Sequence, residues 1–276
     1  MEGYKSVIIA VFGTNAGCGK TITAINLAAG MADEGYRVCL VDLDLQFGDV
    51  MGYLDLVSDV TLADAQAALE RDEQAFQPHD YLVKYDQGDS DFWVLPPPQG
   101  INEAYSINVF TVEEILRRLD GFNFIILDLT SVFSALNLAV LDMSTIINYI
   151  GVMNFLPAVK NYKVGYDTLR RFEYEESKIC LVENRCNEDG FISSRDVERL
   201  LGDEFYHQLP EDSEAVTKAM QQSRPLLMSA PLSPLARSYW QLVGRYTGRQ
   251  KEQLAKQRQP TGWSRYKQTV WGMTGS

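Results

Sequence analysis

The chain has 276 residues, room for one large domain or two small ones, and 46% of them are apolar, ample for a core. Its net charge of −12 argues against broad, non-specific DNA binding, which depends on neutralising phosphates. No run has the length of a transmembrane helix, residues 1–5 are too short and acidic for a secretory signal, and four cysteines without a CxxC pair plus two histidines suit neither a disulfide scaffold nor a zinc or iron–sulfur site.

A cytoplasmic protein is therefore expected. Residues 6–12 form an unbroken apolar run that ends in Gly13-Thr14-Asn15-Ala16-Gly17-Cys18-Gly19-Lys20-Thr21. Ile22, Ile25, Ala29 and Ala32 then recur at helical spacing, and Gly35 supplies a stop. Strand, Gly-rich turn and helix are the layout of a phosphate-binding loop. Glycines let the backbone approach the phosphates, and successive N–H groups with the helix N-terminus surround the anion. In such a loop Lys20 reaches the outer phosphates and the Thr21 hydroxyl holds magnesium. The pattern wants glycine five residues before Gly19, where Thr14 stands, with Gly13 one residue early. The stretch also fits an ordinary Gly-rich turn capping a buried helix. Cys18 reads as the occupant of a variable loop position rather than a redox thiol, which requires a lowered pKa.

Residues 36–42 make a second apolar strand, so strand, helix and strand form a βαβ unit and a parallel sheet. The strand ends in Asp42-Leu43-Asp44-Leu45-Gln46-Phe47-Gly48-Asp49. Carboxyl ends of strands face the ligand crevice of an open α/β sheet, which places Asp42 and Asp44 beside the phosphate loop. There they can order magnesium and orient an attacking water; a polar turn with a helix cap fits the same residues. A short helix follows over 61–71. Residues 72–90 are polar without a clear element, and a strand over 91–95 is stopped by Pro96, Pro97 and Pro98. After a helix over 109–119, residues 124–128 repeat the grammar of a buried strand ending in Asp128, the Walker B pattern. Strands are expected over 145–153, over 178–183 leading into Asn184-Arg185, and over 205–209 leading into Pro210-Glu211-Asp212. Helices are expected over 157–172, over 193–201 capped by Ser193 or Ser194, over 213–222, and from Ser233 onward, where Leu235, Tyr239, Leu242, Val243 and Tyr246 keep helical spacing. The whole reads as α/β: a single P-loop domain over 1–247, with a mostly parallel central sheet flanked by helices, and a basic, aromatic tail over 248–276.

These stretches resemble the ParA/MinD-type ATPases, which carry a deviant Walker A loop, and within them the CpaE/TadZ-like branch associated with type IV (Tad/Flp) pilus assembly. The resemblance is carried by residues 17–21, 41–49, 124–128, 184–185, 209–212, 224–226 and 231–236, and spans about residues 5–247. The run over 42–49 is its most branch-specific part. It implies that Asn15, Ala16, Gly17, Cys18, Gly19, Lys20, Thr21 and Ile22 cradle ATP or ADP, and that Asn184, Arg185, Pro210 and Asp212 border the adenine. Thr21, Asp42 and Asp128 would serve Mg2+. Asp42 and Asp44 would lie in a first switch, with Asp44 positioning the hydrolytic water, and residues 129–134 would form a second switch. Lys20 and Asp44 would be the catalytic pair.

Two positions depart from that family. Its loop begins Lys-Gly-Gly where this chain has Asn15-Ala16-Gly17, so the lysine that reaches across an ATP-bridged dimer is missing. An uncharged Asn15 cannot stabilise the developing phosphate charge, so ATP binding is better supported than hydrolysis. The proline two residues after the Walker B aspartate is Thr130 here. The resemblance implies a homodimer and partners in pilus or secretion machinery, located in the cytoplasm, at the inner face of the membrane or at a cell pole. A nucleotide-independent localisation scaffold with a degenerate site is the alternative. A ligase of the CobQ/dethiobiotin type has no dedicated substrate motif here, and a DNA-segregation ATPase fits poorly with the acidic body. The tail sets Arg249, Lys251, Lys256, Arg258, Arg265 and Lys267 against Glu252, with Trp263, Tyr266 and Trp271 among them. It suits a flexible, disordered tail, a segment that binds a protein partner, or contact with anionic lipid, although Pro260 and Gly262 interrupt any amphipathic helix.

Overall fold

The computed structural model describes residues 6–86, 91–187 and 191–257, with side chains described up to residue 248. Eight strands form one sheet in the order β3-β4-β2-β5-β1-β6-β7-β8. They are β1 (Val7–Phe12), β2 (Val38–Asp42), β3 (Val83–Tyr85), β4 (Phe92–Leu95), β5 (Phe124–Asp128), β6 (Ile146–Val152), β7 (Ile179–Cys186) and β8 (His207–Pro210). All neighbours pair parallel except β3, which runs antiparallel to β4 at the edge. Helices cover both faces: α1 (Lys20–Asp33), α2 (Val50–Tyr53), α3 (Leu62–Arg71), α4 (Ile101–Ser106), α5 (Val109–Arg118), α6 (Ala135–Met143), α7 (Leu156–Arg171), α8 (Ser194–Leu201), α9 (Ser213–Gln221), α10 (Leu226–Ser229) and α11 (Pro234–Gln257).

The apolar run of β1 is unbroken because the strand is buried on both faces. Ile9 and Val11 enter the core layer under α1, α9, α10 and α11, while Ile8, Ala10 and Phe12 enter the layer under α3, α5, α6, α7 and α8. On α5 the spacing of Val112, Ile115 and Leu116 turns one stripe onto the sheet, each side chain contributing about 1.5–3 kcal/mol by burial. Thr61 closes a capping box with Asp64 at the start of α3, and Ser193, not Ser194, caps α8.

The region 72–90, expected to lack an element, contains a 3-10 turn at Pro78–Tyr81 and the strand β3. Three residues are too few to show alternation, and the exposed Lys84 is held by Asp86 and Asp91 at 3.2 and 2.5 Å. Helix α6 also carries no sequence expectation, because Ala135–Met143 is apolar nearly all round and shows no stripe. Helix α11 runs through position 248 to Gln257; Arg258, Trp263, Arg265, Tyr266, Lys267 and Trp271 lie outside the described residues. Among the described residues no helix is long and apolar enough to cross a membrane.

Candidate functional site

Strands β1, β2 and β5 lie side by side and point the same way, so their carboxyl ends meet at one edge. Val11 and Asp42 both stand in register with Asp128. The loop after β1 and the carboxylates after β2 and β5 are thereby brought together from three distant parts of the chain.

The loop is shaped by backbone geometry. Gly19 has φ 95°, a left-handed conformation that side chains resist, and a Cβ there would lie 2.3 Å from Asn184 Nδ2. Helix α1 opens directly after it, presenting its unpaired first-turn N–H groups to the loop. Thr14, at the consensus glycine position, has been put to another use. Its hydroxyl lies 2.8 Å from the Tyr149 hydroxyl and donates to the Asn161 carbonyl at 3.0 Å, which docks the loop onto β6 and α7. Ala16 and Gly17 form the exposed tip. Asn15 is half-buried, and its Oδ1 has no partner. Cys18 is fully buried, and burial pushes its thiol up, which makes it an inert packing residue.

The carboxylates differ in what they can still bind. Asp42 is wholly buried; its Oδ1 accepts the Asp44 N–H at 3.1 Å and its Oδ2 the Val50 N–H at 3.2 Å. It therefore holds the loop over 43–49 in place. Burial and the neighbouring Asp128 raise its carboxyl well above the usual range. Asp44 is half-buried and accepts the Phe47 N–H at 3.3 Å. Asp128 lies near Thr21 and Lys20, which favour its ionised form, while its Oδ1 is buried with no partner. Burial pushes Asp128 up to about 7, against the opposing pull of Thr21 and Lys20. Two buried carboxyls in register, one with an orphaned oxygen, suit a divalent cation coordinated partly through water. Among the described residues no group of three or more His, Cys, Asp or Glu is placed to hold a metal unaided, so phosphate oxygens would have to complete the shell. Lys20 turns its ammonium onto the Ser131 hydroxyl at 2.7 Å.

Beside the loop lies a cavity of about 210 Å³, lined among others by Gly19, Ile22, Asn184, Arg185, Pro210 and Asp212. Asn184 Nδ2 donates to the Cys18 carbonyl at 2.8 Å and its Oδ1 accepts the Arg185 N–H at 2.9 Å, which ties the end of β7 to the loop. Arg185 takes φ 55°, a strained value for a side-chain-bearing residue, and its guanidinium spans from the Gly17 carbonyl at 3.5 Å towards Glu211 at 3.8 Å. Asp212 caps α9 through the Ala215 N–H at 3.2 Å, and its Oδ2 is buried without a partner. An orphaned acceptor on a residue lining this cavity suits a ligand that carries an amino group.

The structure thus gathers the expected residues around one loop and its flanking groove. Sequence reasoning placed Ser131 only within the second switch and Glu211 only within the run over 210–212, gave neither an individual role, and did not bring Val216 or Tyr239 to the site. The last two line the same cavity from α9 and α11, and the helical periodicity of Leu235 and Tyr239 signalled only packing.

Comparison with known proteins agrees with this geometry. The profile of the CobQ/CobB/MinD/ParA nucleotide binding domain matches residues 9–226. A ParA family ATPase from Chlorobium tepidum TLS superposes with a TM-score of 0.77 at 20% identity, covering 87% of this chain and 99% of that one. The septum site-determining protein MinD of Pyrococcus horikoshii OT3, solved with Mg-ADP, superposes with a TM-score of 0.74 at 17% identity, covering 88% of this chain and 96% of that one. The antiactivator FleN of Pseudomonas aeruginosa PAO1 is 47% identical over 57 residues, a stretch that makes up 21% of this chain and only 20% of that protein. With residues 9–226 matched by that profile, the chain belongs to the CobQ/CobB/MinD/ParA nucleotide-binding family.

Proposed function

We propose that this protein binds ATP with magnesium and acts as a dimerising switch of the ParA/MinD type that positions or helps to assemble a type IV (Tad/Flp) pilus machinery. The observation that carries the nucleotide reading is the orphaned Asp128 Oδ1, buried beside Thr21 and Lys20 at the mouth of the loop. A buried acceptor of this kind costs free energy until something fills its valence, and a metal-bound water does so. Thr21 and Asp128 would hold the ion, with Asp42 behind them fixing the first switch. Bound magnesium neutralises charge on the outer phosphate oxygens. The loop N–H groups and Lys20 would grip the phosphates, and the groove between Asn184, Arg185 and Pro210 would take the adenine, whose amino group suits Asp212 Oδ2. Asp44 would orient the attacking water. Binding without fast turnover fits Asn15, which supplies no charge.

The pilus assignment is supported by the run over 42–49, which carries the CpaE/TadZ resemblance, and by the acidic body, which disfavours DNA. Sites of action at the inner face of the membrane or at a cell pole follow from the same resemblance and from the basic tail. Asn15 also favours a second reading, a localisation scaffold that does not depend on nucleotide. Calorimetry and light scattering with ATP and magnesium separate the two. The switch predicts heat of binding and a mass that doubles with ATP in the wild type, both lost in Lys20→Ala. No heat from any adenine nucleotide, or one constant mass in both proteins, would leave only the scaffold.

A further inference from the structure

A second groove, of about 400 Å³, opens between the loop after β2 and the loop after β4. Phe47, Met51, Leu56 and Val57 form one wall, and Pro97 and Pro98 the other. The walls are fixed to each other. Gln99 Nε2 donates to the Ser58 carbonyl at 3.1 Å, the Leu62 N–H donates to the Pro96 carbonyl at 2.9 Å, and a Cβ on Gly48 would lie 2.7 Å from Pro97 Cγ. Phe47 and Val57 nonetheless stand 71% and 88% exposed, apolar surface that no described element covers. The rim is acidic. Asp49, Asp55, Asp59 and Glu103 are exposed beside it, and the two stretches that wall it, 42–70 and 91–116, contain no lysine or arginine.

We propose that this groove is the docking site of the chain's own residues 258–276. That segment is its chemical complement: Arg258, Arg265 and Lys267 stand among Trp263, Tyr266 and Trp271, and it has no aspartate or glutamate. Bases against the rim and aromatic rings against proline and aliphatic walls join charge pairing to apolar burial. Because the chain is acidic as a whole at −12, the body of a second copy would meet the rim with like charge. The segment is also long enough. Helix α11 starts near the nucleotide cavity, which Leu235 and Tyr239 line, and its Arg245 reaches the Tyr206 carbonyl just before β8, at the other end of the sheet. Its 24 residues span about 36 Å. The groove, beside β2, lies three strands from β6, which α11 meets through Tyr246 and Asn148, a lateral step of about 15 Å. Residues 258–276 extend to about 60 Å, enough to return to the groove. Docked there, the segment lies against the loop in which Asp44 accepts the Phe47 N–H, and lipid or a partner protein has to compete for its aromatic rings. This contact goes beyond the nucleotide reading and stands or falls without it.

The test is hydrogen exchange of the full chain, read by mass spectrometry. The variant Trp263→Ser/Arg265→Glu/Lys267→Glu changes only residues 258–276. Its amides over 45–58 and 99–103 are expected to exchange about tenfold faster than the wild type's, with exchange elsewhere unchanged; that factor corresponds to an intramolecular concentration of about 1 mM acting on a weak contact of about 0.1 mM. Val57→Lys/Asp59→Lys, at two exposed positions of the groove, is expected to speed exchange over 263–271 by the same factor. Combining the two sets should give no further gain, because both act through one contact. The wild-type protection should also survive a dilution of about fiftyfold, as an intramolecular contact must. Equal exchange over 45–58 in the wild type and the first variant, or a change confined to another surface, would overturn the docking. Protection that fades on dilution would overturn it too, and would give the groove to the same segment of a second copy.

Discussion

Gly165 lies inside α7, where alanine ordinarily stabilises a helix by about 1 kcal/mol relative to glycine. Here a Cβ would sit 2.0 Å from the Tyr149 hydroxyl and 2.4 Å from Thr14 Cγ2. Neither neighbour can give way cheaply. The Tyr149 ring is wholly buried and stacks on Tyr162 at 4.5 Å, and the two tyrosines exchange hydrogen bonds with each other's carbonyls at 2.9 Å. Overpacking of this kind costs about 1–3 kcal/mol, and loss of the Thr14 contact adds about 1. After subtracting the helix-propensity gain, Gly165→Ala should destabilise the protein by about 2 kcal/mol, a fall in Tm of roughly 4–8 °C for a domain of this size. Because Thr14 belongs to the phosphate loop, ATP affinity should fall as well. Gly244, in α11, provides the control: a Cβ there meets nothing within 4 Å, so Gly244→Ala should stabilise by about 0.5–1 kcal/mol. Urea unfolding and thermal melts of both variants decide the matter. A Gly165→Ala protein as stable as Gly244→Ala would refute the claim that glycine at 165 makes room for the loop anchor.

Two further expectations concern pH. Burial holds the His207 ring at about 4, below its ordinary 6.5, with Nε2 donating to the Ser238 carbonyl at 2.9 Å. Its folded-state value lies below the unfolded one, so the neutral ring contributes fully above about pH 6.5 and loses that contribution as pH falls towards 4, on the order of 3 kcal/mol in all. His207→Gln keeps a donor for Ser238 but does not titrate, so its urea midpoint should fall less than the wild type's between about pH 7 and pH 4. Asp128 has the opposite sign: its folded-state value of about 7 lies above 3.8, so metal-free protein loses stability as pH rises through that window. Asp128→Asn should therefore be more stable than wild type at about pH 8 in chelator, by as much as a few kcal/mol, while binding magnesium and ATP more weakly. A variant that is less stable in chelator and unchanged in nucleotide affinity would remove Asp128 from the site.

Much of this protein can be read in one dimension. The apolar run before Gly13, the helical spacing after Lys20 and the aspartates closing residues 36–42 and 124–128 are local patterns. The parallel-sheet rule then converts each strand end into a place at one rim, and Asn184 and Pro210 arrive there by the same rule. The edge strand β3 and helix α6 escaped because one is too short to alternate and the other is too evenly apolar to show a face. The functions of individual polar atoms escaped for a deeper reason. Whether a carboxylate is open or spent depends on partners that sequence spacing does not reveal. Asp42 faces the ligand crevice on paper, yet both its oxygens are taken by backbone N–H groups, whereas Asp128 Oδ1 is left without one. Thr14 looks like a defect in the loop until Tyr149 and Asn161, more than a hundred residues away, are found docking it. Lys20 and Ser131 are 111 positions apart, and the hydrogen bond between them exists only because the sheet brings β1 and β5 side by side. Local pattern was enough to locate the rim; which of its atoms remain free to bind was decided by tertiary packing, because a buried polar group takes whatever partner the fold brings within reach.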